Sequence, residues 1–224
     1  MIRWVHLATA LTPDGDGELR LMQRGAEFSI MLGTNELMNS HLSGSEEALA
    51  TLSCARLRPG KRPHILIGGL GMGFTLRAAL VTLGADAKIT LAELVPAIVH
   101  WGRGPLSALF DNCLDDPRVS LFEGDVAALI RSEKAHFDAI LLDVDNGPDG
   151  LTYRENDSLY GGRGLSAAHT ALRSGGILAV WSSGPDPGFT QRLNRVGFSV
   201  EEVKVRANGK RGGARHVIWL ATKK

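Results

Sequence analysis

A short apolar run that breaks into a glycine-rich turn and then opens onto a helical pattern constrains this chain more than any other feature. It reads His64-Ile65-Leu66-Ile67-Gly68-Gly69-Leu70-Gly71-Met72-Gly73-Phe74-Thr75-Leu76, and Glu93 ends the next apolar run twenty residues after Gly73. A strand, a glycine turn, a helix and a second strand ending in an acid make up a mononucleotide-binding unit. The glycines let the backbone approach a ligand closely, and the acid accepts hydrogen bonds from both ribose hydroxyls. The pattern predicts a site for an adenosine-containing ligand.

The rest of the chain extends this unit. Apolar runs begin near His64, Lys88, Val119, Phe137, Gly176 and His216, and a weaker alternating run spans Phe198 to Val205. Spacings of this length suit helical crossovers, so most strands are expected to be parallel. Only Arg206 to Gly213 separates the last two runs, too few residues for a helix, which predicts an antiparallel hairpin at the C-terminal edge. Residues 1–44 read differently, as a small β-hairpin region. Glu18 to Arg24 and Glu27 to Leu32 alternate in residue type around Gly25, and Pro13 to Gly17 has strong turn chemistry. A helix begins near Ser45, with Ser43 or Ser45 as its N-cap, and ends near Arg58-Pro59-Gly60. Residues 45–224 form a Rossmann-like nucleotide-binding domain in this reading.

In open α/β sheets ligands lie beyond the carboxyl ends of the strands. Four successive strand ends carry glycine or acid: Gly68 to Gly73, Glu93, Glu123-Gly124-Asp125, and Asp143-Val144-Asp145-Asn146. Together they suit a sulfonium nucleoside. Glu93 would clamp the ribose, Asp125 would accept from the adenine amino group, and the turn with Gly68, Gly69, Gly71 and Gly73 would admit the sulfonium-bearing arm. Asp143 would face the reacting centre. The bland alternatives are an N-cap for Asp125 and a turn cap for Asp143. A dinucleotide is disfavoured, because no second glycine-rich phosphate turn follows Asp143.

Composition narrows the class further. The net charge of +1 gives no reason to expect a nucleic-acid or anionic-membrane partner. The basic cluster Arg206, Lys210, Arg211 and Arg215 reads as a solvated turn, since no aromatic residues interleave with it. Two cysteines far apart, Cys54 and Cys113, argue against a disulfide framework, and no apolar run approaches the about 18 residues of a membrane span. The expectation is a soluble cytoplasmic protein. Seven histidines without ligand spacing predict no metal. Trp101 and Trp181 are expected near the ligand or in the core. Leu37, Met38 and Leu42 are expected in the core or at a subunit interface.

On these motifs the chain resembles the spermidine synthase (polyamine aminopropyltransferase) family, within the class I S-adenosylmethionine-dependent methyltransferase fold. Gly33 to Ser40 and Gly44 to Leu49 are similar to the family's N-terminal β-domain and the helix after it. Ile67 to Gly73 matches the glycine motif, Ala92-Glu93 the ribose motif, Gly124-Asp125 the adenine motif and Leu142-Asp143 the catalytic strand. The resemblance implies a mostly parallel seven-stranded sheet with an antiparallel last strand, and a homodimer. Three departures stand out. The glycine motif's usual Asp is Gly71 here. The usual Asp-Ser-Ser-Asp-Pro reads Asp143-Val144-Asp145-Asn146-Gly147-Pro148. The usual Tyr-His-Glu of the helix reads Ser45-Glu46-Glu47.

The family's Asp helps select decarboxylated S-adenosylmethionine, so Gly71 shifts the expectation toward S-adenosylmethionine itself and methyl transfer. Aminopropyl transfer to a polyamine such as putrescine is the alternative, and a non-catalytic protein that binds adenosyl ligands is the second. Asp143 and Asp145 are the expected catalytic acids. Polyamine ammonium groups need anionic partners once desolvated, so Glu46, Asn146, Asp149, Tyr153 and Tyr160 are the expected acceptor contacts, with Glu155 and Asp157 near them.

Overall fold

The computed structural model describes residues 2–13, 15, 17–57, 62–144, 147–148, 159–209 and 212–224. Two sheets account for the strands among these residues. Val5–Leu11 (β1), Glu18–Arg24 (β2), Glu27–Leu32 (β3) and Asn35–Asn39 (β4) form an antiparallel meander in sequence order. The second sheet contains His64–Gly68 (β5), Lys88–Glu93 (β6), Val119–Glu123 (β7), Phe137–Leu142 (β8), Leu172–Ser182 (β9), Phe198–Arg206 (β10) and Arg215–Lys223 (β11). Its order is β10-β11-β9-β8-β5-β6-β7. β11 runs antiparallel between β9 and β10, while β9, β8, β5, β6 and β7 pair in parallel. This is the α/β architecture expected from the spacing of the apolar runs.

The alternation along the central strands explains the layers. Ile65, Ile67, Ala139, Leu141, Ile177, Ala179, Ile218 and Leu220 point to one face. Leu66, Ile140, Leu142, Leu178, Val180, Val217 and Trp219 point to the other. Period-two alternation with both sets apolar is what a sheet covered on both sides requires. The first face packs against Gly44–Cys54 (α1), Phe74–Thr82 (α2) and Pro96–Arg103 (α3), and against Leu19, Leu21 and Ile30 of the meander. Ser107–Phe110 (α4) follows α3 on the same side. The second face packs against Val126–Ser132 (α5), Gly162–Ala171 (α6) and Pro187–Val196 (α7). Each fully buried aliphatic side chain contributes about 1.5–3 kcal/mol to this double core.

Helix ends follow local chemistry. Asp186 accepts from the Phe189 N–H, Pro187 occupies the first turn, and Gly197 at φ +108° stops α7. Two boundaries differ from expectation. α1 begins at Gly44 and ends at Cys54, and Ser43 makes no side-chain cap bond. The Ser45 hydroxyl is drawn away to partners described below, so neither serine caps the helix. β9 starts at Leu172 rather than near Gly176, because Leu172 already pairs with Phe137 ahead of a register shift. No helix is long and apolar enough to cross a membrane among the described residues.

Candidate functional site

The strand order reverses between β5 and β8, and the glycine turn leaves β5 at that switch point. Backbone hydrogen bonds bind the strand ends together. The Gly69 N–H donates to the Ala92 carbonyl, the Asp143 N–H to the Gly68 carbonyl and the Gly124 N–H to the Glu93 carbonyl, at 2.9, 2.9 and 2.8 Å. Gly69, Gly71 and Gly73 all have positive φ, at +90°, +51° and +79°. A Cβ on Gly69 would collide with the Asp143 carbonyl oxygen. One on Gly71 would stand 3.0 Å from the Met38 sulfur. The turn is therefore a cradle without side chains, walled by Met38 from β4.

Glu93 holds this cradle from below. Its Oε2 accepts the Leu70 N–H at 2.8 Å and its Oε1 accepts the Val95 N–H at 2.9 Å. Burial pushes its carboxyl above the ordinary range, against the pull of these backbone donors. The Leu94 and Gly71 N–H groups also stand against this carboxylate, so the turn amides converge on it. The fit to an adenosyl ligand rests on the cradle, where a Cβ on Gly69 or Gly71 would meet Asp143 or Met38.

Asp125 is half-buried and N-caps α5. Its oxygens accept the Ala127 and Ala128 N–H groups at 2.7 and 3.1 Å, and Arg131 lies 3.4 Å away. The bland alternative for this residue is thus present, with one acceptor site left on its better-bonded oxygen.

Asp143 follows β8 directly and accepts the Thr75 hydroxyl at 2.6 Å. The same hydroxyl lies 3.3 Å from the Glu46 carbonyl, so the first turn of α2 ties α1 to the end of β8. Burial pushes Asp143 up to about 6 despite Thr75. Burial pushes Glu46 up to about 7, reinforced by repulsion from Asp143 and opposed by the Ser45 hydroxyl at 2.6 Å. Two carboxyls with elevated proton affinity beside a nucleoside-type cradle are suited to binding and deprotonating an amine.

Of the acceptor contacts expected from sequence, Glu46 stands at this site. Tyr160 is buried instead, edge-on against Phe189, with its hydroxyl 3.4 Å from the Val144 carbonyl. Asp145, Asn146, Asp149, Tyr153, Glu155 and Asp157 lie outside the described residues. Thr75, Ser45, His216 and Met38 escaped the sequence reading as site residues. Thr75 had a local signal, a hydroxyl in the first turn after a glycine loop. His216 had none, being 171 residues from its partner Ser45. A separate cavity of about 710 Å³, lined by Arg77, Asp111, Asp115 and Arg118 among others, includes neither Asp143, Glu46 nor Glu93.

The parallel sheet with β11 inserted antiparallel, the glycine turn and the acid ending β6 define a class I S-adenosylmethionine-dependent methyltransferase-like fold. Within that class the chain has the spermidine synthase fold. It superposes on a spermidine synthase in complex with the transition state analogue AdoDATO with a TM-score of 0.75, at 20% identity, covering 98% of this chain and 72% of the other. The Thermotoga maritima spermidine synthase gives 0.74 at 19% identity, with the same coverages of 98% and 72%.

The chain's relatives in sequence are polyamine aminopropyltransferases and putrescine N-methyltransferases. Polyamine aminopropyltransferase 1 of Streptomyces coelicolor is 30% identical over 128 residues, 56% of this chain and 23% of that protein. Putrescine N-methyltransferase 4 of Nicotiana tabacum is 32% identical over 123 residues, 54% of this chain and 30% of that protein. Polyamine aminopropyltransferase of Korarchaeum cryptofilum is 28% identical over 134 residues, 60% of this chain and 38% of that protein. The chain thus spans between 23% and 38% of the length of these relatives. No protein-family model matches it.

Proposed function

We propose that this chain is a transferase that moves a methyl group from S-adenosylmethionine to an amine of a polyamine-type acceptor such as putrescine. The observation that carries the reading is the placement of two carboxyls with raised proton affinity, Asp143 and Glu46, beside the glycine cradle and Glu93. Gly68, Gly69, Gly71 and Gly73 would seat the donor's arm, Glu93 its ribose and Asp125 its adenine. The bound donor supplies an electrophilic carbon on a sulfonium: the acceptor nitrogen forms the N–C bond while the C–S pair leaves on sulfur. Asp143 faces that nitrogen and orients it, and Asp145, two residues on in the sequence, is assigned a second acid role.

Methyl transfer is preferred over aminopropyl transfer because of Gly71. Position 71 has no carboxylate to hold a free ammonium arm, and Met38 stands where a side chain would project. Similarity to enzymes named putrescine N-methyltransferase supports this choice. Similarity to enzymes named aminopropyltransferase keeps the second reading in view. A homodimer belongs to the same proposal, supported by the exposed apolar residues Ile2, Val5, Leu7 and Leu11 on and beside β1, and light scattering tests it.

Calorimetric titration with S-adenosylmethionine and with its decarboxylated form tests the donor, and mass spectrometry after incubation with putrescine tests the reaction. Tighter binding of the carboxylated donor, with S-adenosylhomocysteine as by-product, is the expected outcome. Methylthioadenosine as by-product would replace methyl by aminopropyl transfer. Binding of neither donor would overturn the sulfonium reading.

A further inference from the structure

A primary amine enters a site of this kind as an ammonium and attacks only after losing a proton. The groups arranged to receive that proton come from four elements. Asp143 follows β8 and has the Thr75 hydroxyl of α2 behind it at 2.6 Å. Glu46, on α1, has the Ser45 hydroxyl behind it at 2.6 Å, and Ser45 in turn lies 2.9 Å from His216 Nδ1 on β11. Ser45 has one proton. With that proton directed at an ionised Glu46, His216 must present Nδ1–H to Ser45.

The start of α1 is held in this register by the C-terminal hairpin. The Gly44 N–H donates to the Ala207 carbonyl at 2.9 Å, and a Cβ on Gly44 would collide with the Gly209 backbone. His216 is fixed edge-on against Trp181 with ring centroids 4.8 Å apart. Among the described residues, the titratable groups facing Glu46 are Asp143 from β8, Glu47 from its own helix and, through Ser45, His216 from β11.

We propose that Glu46 and Asp143 act as one proton-sharing pair that takes the proton of the incoming ammonium, with Ser45 and His216 as positioning residues that govern when Glu46 releases it. The proposal rests on the transferase reading for its substrate, and, for the pair itself, on the Thr75 hydroxyl that reaches both the Asp143 carboxylate at 2.6 Å and the Glu46 carbonyl at 3.3 Å. In the step, an N–H bond of the ammonium breaks and its electron pair stays on nitrogen as the attacking lone pair. An O–H bond forms on the pair, which passes from two negative charges to one as the ammonium becomes a neutral amine. A protonated Glu46 reverses the chain behind it, donating to Ser45. Ser45 then donates to His216 Nδ1 once the ring has released its Nδ1 proton to solvent and taken one at Nε2, a tautomer change without change of charge. Burial holds His216 toward its neutral form, as this reversal requires.

The pair is tested by carbon-13 carboxyl NMR of the full chain across pH, alongside the pH profile of putrescine alkylation at saturating donor. Linked titration steps are expected, with the Glu46 midpoint falling in Asp143→Asn and rising in Ser45→Ala. The acid limb of the rate profile should move down in Glu46→Gln and up in Ser45→Ala, each by about half a pH unit or more. His216→Leu should move it as Ser45→Ala does, and His216→Asn, which keeps a donor at the Nδ1 position, should restore it. A Glu46 midpoint that is the same in Asp143→Asn as in the wild type would overturn the pair. So would rate limbs that move in the same direction in Glu46→Gln and Ser45→Ala. Absence of any transfer to putrescine would overturn the functional reading instead, and the NMR titration would still decide the pair.

Discussion

The two halves of the site are built by different means. The half around Gly69, Gly71 and Glu93 is a backbone structure, in which turn amides meet one buried carboxylate and leave a cradle free of side chains. The half around Glu46 and Asp143 is a side-chain structure, in which hydroxyls of Ser45 and Thr75 back two carboxyls whose proton affinity burial raises. The first suits recognition of a shape that does not change charge. The second suits a group that must lose a proton. Backbone amides are fixed dipoles, whereas a carboxyl's proton affinity follows its burial and its neighbours.

Perturbing each half in turn sharpens this contrast. The largest effect is expected from Asp143→Asn, which should lower turnover on the order of 10²–10⁴-fold while leaving donor affinity nearly intact, as read by kinetics and calorimetry. Unchanged turnover would remove Asp143 from the chemistry. Gly69→Ala attacks the other half. Its Cβ meets the Asp143 carbonyl at a φ that side chains disfavour, so denaturant unfolding should record a loss of about 3 kcal/mol. Glu93→Ala should weaken donor binding by ~1.5–3 kcal/mol, and it should also lower stability because the Leu70 and Val95 N–H groups lose their acceptor. A variant that binds donor as tightly as the wild type would show that Glu93 serves the turn alone.

The smallest effect separates the halves by pH. Asp143 and Glu46 have folded values raised from 3.8 and 4.5 to about 6 and about 7, so the folded state binds more protons than the unfolded chain within that window. The stabilisation is complete below about pH 4 and is lost as pH rises through 6 and 7. Glu46→Gln should flatten this decline by about 1 kcal/mol per pH unit, measured by thermal unfolding from pH 4 to 8. A decline as steep as in the wild type would assign it to other groups.

The fold was legible because its signals are contiguous. β5 and β8 are mostly apolar, with His64 and Asp138 near their starts, and both faces of each are covered, as parallel strands under helices require. The segment between Arg206 and Arg215 was too short for a crossover, and the hairpin of β10 and β11 forms there. The reading was weaker where a polar side chain had several possible partners. Ser45 looked like a helix cap, yet its hydroxyl serves Glu46 and His216. Tyr160 looked like an aromatic contact for an acceptor, yet Phe189 and the second core layer enclose it.

By itself the sequence determined the succession of strands and helices along the chain, the glycine turn and the acid at the end of β6, because backbone conformation answers to residues next to one another in the chain. Only the tertiary structure decided that Met38 walls the turn at Gly71 and that His216 stands behind Ser45 and Glu46. It likewise decided that Asp143 comes close enough to raise the proton affinity of Glu46. Proton affinity depends on desolvation and on charges brought close from distant segments, and neither exists until the chain has folded.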